Sequence, residues 1–138
     1  MSSNTINIFD YVNTVPTKLF RKNEVIVREG EPSNEKMYFI LNGTLKVGMG
    51  TPEQKNFQEV RKLTTGQFFG EIALISNRPR AMTVMIDSDK AQLGILDKQN
   101  LIRIANSNPM FVYCLLQTYV ERLIEAESRL KELIGEEK

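Results

Sequence analysis

Between Phe68 and Val84 the chain brings a carboxylate, Glu71, and a guanidinium, Arg80, into one short stretch. The stretch reads Phe68-Phe69-Gly70-Glu71-Ile72-Ala73-Leu74-Ile75-Ser76-Asn77-Arg78-Pro79-Arg80-Ala81-Met82-Thr83-Val84, with Glu71 directly after a glycine and Arg80 directly after a Pro-containing turn. Glu71 to Ile75 reads as a short helix started by Gly70 and ended by the Pro79 turn. The unpaired amides of a helix start, with Arg80 near in sequence, favour an anion. Arginine suits a phosphodiester better than lysine, because its planar fork stays charged when desolvated. A lone Glu at a helix start is ordinarily a capping or helix-dipole residue, and a lone Arg in a turn is ordinarily solvated. The signal lies in their combination, flanked by Phe-Gly on one side and Ala on the other.

The pair points to binding and not to catalysis. The sequence holds no His, which excludes His-ligated metal hydrolysis, Ser-His-Asp catalysis and Cys-His catalysis together. The acidic residues are scattered over strands, turns and the last helix, so no catalytic carboxylate pair, metal site or cofactor is expected. Eighteen Lys plus Arg balance seventeen Asp plus Glu, too even for the footprint of a nucleic-acid or membrane-surface binder. The amino terminus lacks a basic segment followed by an apolar run, and the longest apolar run, Phe111 to Leu116, is too short for a bilayer. A cytoplasmic location is therefore expected, with no partner membrane and no nucleic acid. Cys114 lies within that run and reads as a small buried hydrophobe.

The elements that must position Glu71 and Arg80 follow from periodicity. A short helix is expected over Ile6 to Val12. From Thr17 to Ile95 the chain turns to short runs rich in Val, Ile, Phe, Tyr and Thr, broken every eight to twelve residues, the pattern of an antiparallel barrel or sandwich. Glu29-Gly30-Glu31-Pro32 breaks the strand at Val25 to Arg28. Asn42-Gly43 predicts a hairpin between Met37–Leu41 and Thr44–Val47. Gly48, Gly50 and Pro52 open a polar loop, and Ala81–Ile86 with Ala91–Leu96 predict the last hairpin. Beyond Asp97, a helix cap, the period becomes helical: one helix to Ala105, then Asn108 and Pro109 starting another that runs to Ile134 and stops at Gly135.

At the Phe68–Val84 stretch the chain resembles the phosphate-binding cassette of the cyclic nucleotide-binding domain family. That family shows Phe-Gly-Glu, an aliphatic residue, Ala-Leu, then a turn closing on Arg-Ala or Arg-Thr, and Phe69 through Ala81 match each position. The resemblance extends to Val25–Glu31, Met37–Gly43 and the two closing helices. It implies that Glu71 accepts a hydrogen bond from the ribose 2′-hydroxyl and that Arg80 pairs with the equatorial oxygens of the cyclic phosphate. It further implies that the Ala73 and Ala81 amides complete the phosphate cradle while Gly70 and Ile72 border the ribose. A carboxylate only accepts, which suits the hydroxyl and opposes the phosphate. Asn23 stands where relatives often carry Gly, a substitution a left-handed turn tolerates.

The expected fold is therefore mainly β with flanking helices: an eight-stranded antiparallel, jelly-roll-like β-roll over about 17–96, an N-terminal helix, a short cassette helix and two C-terminal helices over about 97–134, all in a single domain spanning 1–138. The expected function is a cyclic-nucleotide sensor, preferring cyclic AMP with cyclic GMP weaker, whose C-terminal helices repack on binding. The alternative is a protein-interaction module of the same fold that no longer binds nucleotide. Only four residues follow Ile134, so no DNA-reading helix is expected here. Ala81 carries the adenine preference, since cyclic-GMP-selective relatives often have Thr or Ser there. Tyr113 and Tyr119 are the candidate lids over the base. Leu116, Leu123 and Leu130, with Tyr119, Ala126 and Leu133 three places on, form an a/d seam of fewer than three heptads, which suits either a homodimer through the last helix or a helix packed back on its own barrel. Nothing in the sequence names a downstream effector.

Overall fold

Tyr38, Ile40, Phe69 and Leu93 come together with Leu45, Val47, Val84 and Ile86 because two four-stranded sheets each turn one face of alternating side chains toward the other. The computed structural model of the chain describes residues 15–136. The expected N-terminal helix over Ile6 to Val12 lies outside the described residues. Eight strands and three helices follow in order: β1 Thr17–Arg21, β2 Val25–Val27, β3 Lys36–Asn42, β4 Thr44–Met49, β5 Gln58–Thr64, β6 Phe68–Phe69, α1 Glu71–Ser76, β7 Thr83–Ile86, β8 Lys90–Asp97, α2 Lys98–Ser107 and α3 Pro109–Glu136. The described residues fall into two compact units, 15–103 and 104–136.

In the first unit one sheet has the order β1-β8-β3-β6 and the other β2-β7-β4-β5, with every pairing antiparallel. Fully burying a side chain such as Ile40, Leu45 or Leu93 stabilises the fold by about 1.5–3 kcal/mol. These core residues are drawn from both sheets, so the sheets hold each other. The polar ends are tied as well: Asp97 Oδ1 accepts the Asn100 amide at 2.8 Å and starts α2 as expected, and Asn23 takes the left-handed φ of 72° that its turn requires.

Two expected hairpins are not hairpins. Asn42-Gly43 joins β3 to β4, but β3 pairs with β6 and β8 while β4 pairs with β5 and β7, so the turn carries the chain from one sheet to the other. Gly43 alone has positive φ there, 119°, and a Cβ on it would lie 2.7 Å from that of Ala91. Likewise β7 and β8 belong to different sheets, and Asp87 and Ser88 donate their amides to the Thr44 carbonyl at 2.8 and 3.1 Å. Gly48 also differs from expectation: it lies within β4, where the register shifts between Val47 and Gly48 and the strand partner comes so close that a Cβ would meet the Gln58 carbonyl oxygen.

In the second unit α3 begins at Pro109, with the Phe111 amide donating to the Asn108 carbonyl at 3.0 Å. It runs through Gly135 to Glu136, past the expected stop, because a glycine ends a helix only where the chain takes up a left-handed turn. Glu125 and Arg129 form an i,i+4 ion pair at 2.7 Å. Cys114 is half-buried, not buried as expected, since it flanks the helical row of Phe111, Leu115 and Thr118 that carries the buried positions. No helix among the described residues is long and apolar enough to cross a membrane.

Candidate functional site

Gly70 sits at φ 88° immediately before α1, a conformation L side chains avoid. Space forbids a side chain too: a Cβ would lie 2.8 Å from Arg80 Nη1 and 3.2 Å from the Lys36 carbonyl oxygen. The short α1 that follows buries Glu71, Ala73 and Leu74 and leaves Ile72 exposed. It closes on Asn77, whose φ of 58° lets its amide donate to the Ala73 carbonyl at 3.0 Å.

Arg80 reaches the same place from the other side. Its backbone pairs with the turn after β2: the Gly30 amide donates to the Arg80 carbonyl and the Arg80 amide to the Glu31 carbonyl, both at 2.8 Å. Its side chain is buried at 5% exposure, with Nη1 donating to the Gly70 carbonyl at 3.2 Å and Nη2 to the Lys36 carbonyl at 2.9 Å and to Asn34 Oδ1. These three bonds use three of the five N–H donors of a guanidinium. Burial pulls its pKa below the usual arginine value, opposed by Tyr38, Glu31 and Glu71; arginine nevertheless stays cationic. A buried, oriented cation whose bonds to neutral oxygens leave its charge uncompensated is suited to hold an anion.

The connection between β2 and β3 does much of the positioning. Ser33 Oγ donates to the Ala73 carbonyl at 2.7 Å, which pins α1, and Asn34 Nδ2 donates to the Tyr38 hydroxyl at 3.2 Å while its oxygen holds Arg80. A cavity of about 300 Å³ opens here, lined by Ile26, Val27, Arg28, Glu31, Pro32, Asn34 and Arg80. A second loop, 50–57, is strapped to it: Arg28 Nη2 lies 2.7 Å from Glu53 Oε2, and the Gly50 amide donates to Glu29 Oε1 at 2.7 Å. The Glu53 hydrogen bond raises the pKa of Arg28. Thr83, fully buried, donates to the Gly50 carbonyl at 2.5 Å and accepts the Glu29 amide at 2.9 Å.

The structure thus brings Gly70, Glu71, Ala73 and Arg80 together around one helix start, and Arg80 lines the cavity. Ile72 and Ala81 are exposed beside them. Tyr113 and Tyr119 lie on α3 in the second unit, Tyr113 exposed and Tyr119 half-buried with the Arg122 guanidinium 5.5 Å from its ring centre. Phe68 and Phe69 are core residues, Phe69 stacking on Tyr38 at 5.0 Å, and Arg78 is exposed. In the sequence Glu31 is legible only as part of a strand break, and Ser33 and Asn34 belong to no motif. Their one available signal is the stretch from Glu31 to Lys36, in which every side chain but Pro32 is polar and which is longer than a tight turn needs. Among the described residues no group of three His, Cys, Asp or Glu side chains is placed to hold a metal ion.

This arrangement, with its Gly-Glu helix start and buried Arg, falls inside residues 17–108, which match the family model for the cyclic nucleotide-binding domain. The chain belongs to the cyclic nucleotide-binding domain family. The matched residues of this family member take in all eight strands, α1 and α2. It is similar to the cAMP-dependent protein kinase type II regulatory subunit of Drosophila melanogaster, 36% identical over 81 residues, covering 59% of this chain and 21% of that protein. It is also similar to the type I-alpha regulatory subunit of Mesocricetus auratus, 43% identical over 63 residues, covering 46% of this chain and 37% of that protein. The chain therefore corresponds to less than half the length of either. Among solved structures, a transcriptional regulator from Thermotoga maritima superposes with a TM-score of 0.80 at 18% identity, covering 93% of this chain and 98% of that one. At that identity the likeness is one of fold.

Proposed function

We propose that this cyclic nucleotide-binding domain is a sensor that prefers cyclic AMP over cyclic GMP, works without a cofactor and catalyses no reaction. The observation that carries the reading is Arg80, a buried guanidinium held by Gly70, Lys36 and Asn34 at the edge of a cavity. In this reading Arg80 meets the cyclic phosphate, the amides of Ala73 and Ala81 complete its cradle, and Glu71 accepts from the ribose hydroxyl. Gly70 and Ile72 border the sugar. Binding exchanges contacts at Arg80 and α1, and α2 and α3 repack over the base with Tyr113 or Tyr119 as its cover. A downstream effector in the cytoplasm then reads the new helix arrangement.

The regulatory subunits to which the chain is similar are those of cAMP-dependent kinases, which supports the adenine preference, and Ala81 offers no hydroxyl to a guanine amino group. Ala81→Thr is expected to strengthen cyclic GMP binding by about 1 kcal/mol, one hydrogen bond. Thermal shift with each nucleotide is the check: the parent should be stabilised more by cyclic AMP, and the variant should narrow the gap. Equal stabilisation of the parent by both would remove the adenine preference. No stabilisation by either would favour the protein-interaction module instead.

The last helix supports a homodimer. Leu116, Leu123, Leu130 and Leu133 are all exposed, with Ala126 exposed between them, and they lie at the a and d positions of one seam. Light scattering is expected to show a dimer for the parent and a monomer for a Leu123→Glu, Leu130→Glu variant, because charges in the seam oppose pairing. A parent that stays monomeric at high concentration, with and without cyclic AMP, would end this reading.

A further inference from the structure

Among the described residues, Arg28, Glu31 and Arg80 are the charged groups lining the cavity, and their partners differ. Arg28 is already occupied: Nε and Nη2 donate to Glu53 Oε2 at 3.1 and 2.7 Å, and Nη1 lies 3.7 Å from Glu31 Oε2. Arg80 donates instead to neutral oxygens, those of Gly70, Lys36 and Asn34, so its charge is the one offered to a ligand. Glu31 cannot easily withdraw from it. Its Oε1 accepts the Arg28 amide at 2.9 Å, its own amide donates to the Arg28 carbonyl at 3.0 Å, and its carbonyl accepts the Arg80 amide at 2.8 Å. Pro32 after it restricts its backbone further. A fixed carboxylate therefore shares the cavity with the cation that would bind a phosphate.

We propose that Glu31 sets the charge the site accepts, admitting a phosphate with one negative charge and disfavouring one with two. The inference rests on the reading that a nucleotide phosphate sits at Arg80. A cyclic phosphodiester carries one negative charge, whereas a phosphate monoester carries about 1.5 to 2 near neutrality. Glu31 repels each of those charges, and among the described residues that line the cavity the other cation, Arg28, is already paired with Glu53 and Glu31. Glu31 thereby separates a cyclic nucleotide from the linear 5′-phosphate of the same base by charge, independently of shape. Its side chain is 43% exposed, so solvent screening keeps the effect moderate.

Calorimetry of the parent and of Glu31→Gln tests this with three ligands: cyclic AMP, adenosine 5′-monophosphate, and the methyl ester of that monophosphate, which is linear but singly charged. Gln retains the oxygen that accepts the Arg28 amide, so the loop keeps its hydrogen bond. In the variant, affinity for cyclic AMP and for the methyl ester is expected to rise about threefold, and for the 5′-monophosphate about tenfold, since two charges are relieved instead of one. An equal gain for all three ligands, or no gain for any, while the parent binds cyclic AMP, would overturn the role of Glu31. A parent that fails to bind cyclic AMP would overturn the reading of Arg80, and this inference with it.

Discussion

Arg80→Leu is expected to weaken cyclic AMP binding by about 2–5 kcal/mol, the loss that follows when a desolvated anion is left without its partner. Calorimetry measures it directly. The variant also leaves the Gly70 and Lys36 carbonyls without the donors they have in the parent, so a second variant is needed to separate binding from folding. Arg80→Lys keeps the charge but loses the planar fork, and should fall between Leu and the parent. Undiminished binding by Arg80→Leu would remove Arg80 from the site.

Gly70→Ala is expected to lower stability by about 1–3 kcal/mol, through left-handed strain and a close contact together, and to reduce cyclic AMP affinity by displacing the Arg80 guanidinium. Gly30→Ala is the control: Gly30 has a similar φ, +84°, yet a Cβ there meets nothing within 4 Å. It should carry the strain without the collision. Thermal unfolding of both variants, with and without cyclic AMP, checks the difference. If Gly70→Ala behaved like Gly30→Ala in both measurements, the packing of Gly70 against Arg80 would have no functional weight.

What could be read in the sequence divides along a physical line. Gly70, Glu71, Arg80 and the short helix between them were legible because the whole device lies within a dozen residues, and each residue type has a local reason to be there. The strand-rich texture of 17–96 was legible for the same reason, since alternation is local. Partner choice was not. Asn42-Gly43 encodes a reversal, but whether the reversed strand pairs with its predecessor depends on Gln92, Leu93 and the other residues of β8 that claim β3 instead. Ser33 and Asn34 were not legible because their partners, Ala73 and Arg80, lie 40 and 46 residues away. Gly135 shows the converse error, a local stop signal that the helix overrides.

The central claim, that a cyclic nucleotide occupies the site organised by Arg80 and Gly70, is tested most directly by a calorimetric titration of the purified parent chain with cyclic AMP. Saturable binding of one nucleotide per chain, lost in Arg80→Leu, is the predicted result; absence of saturable binding, or binding that Arg80→Leu leaves unchanged, would contradict it.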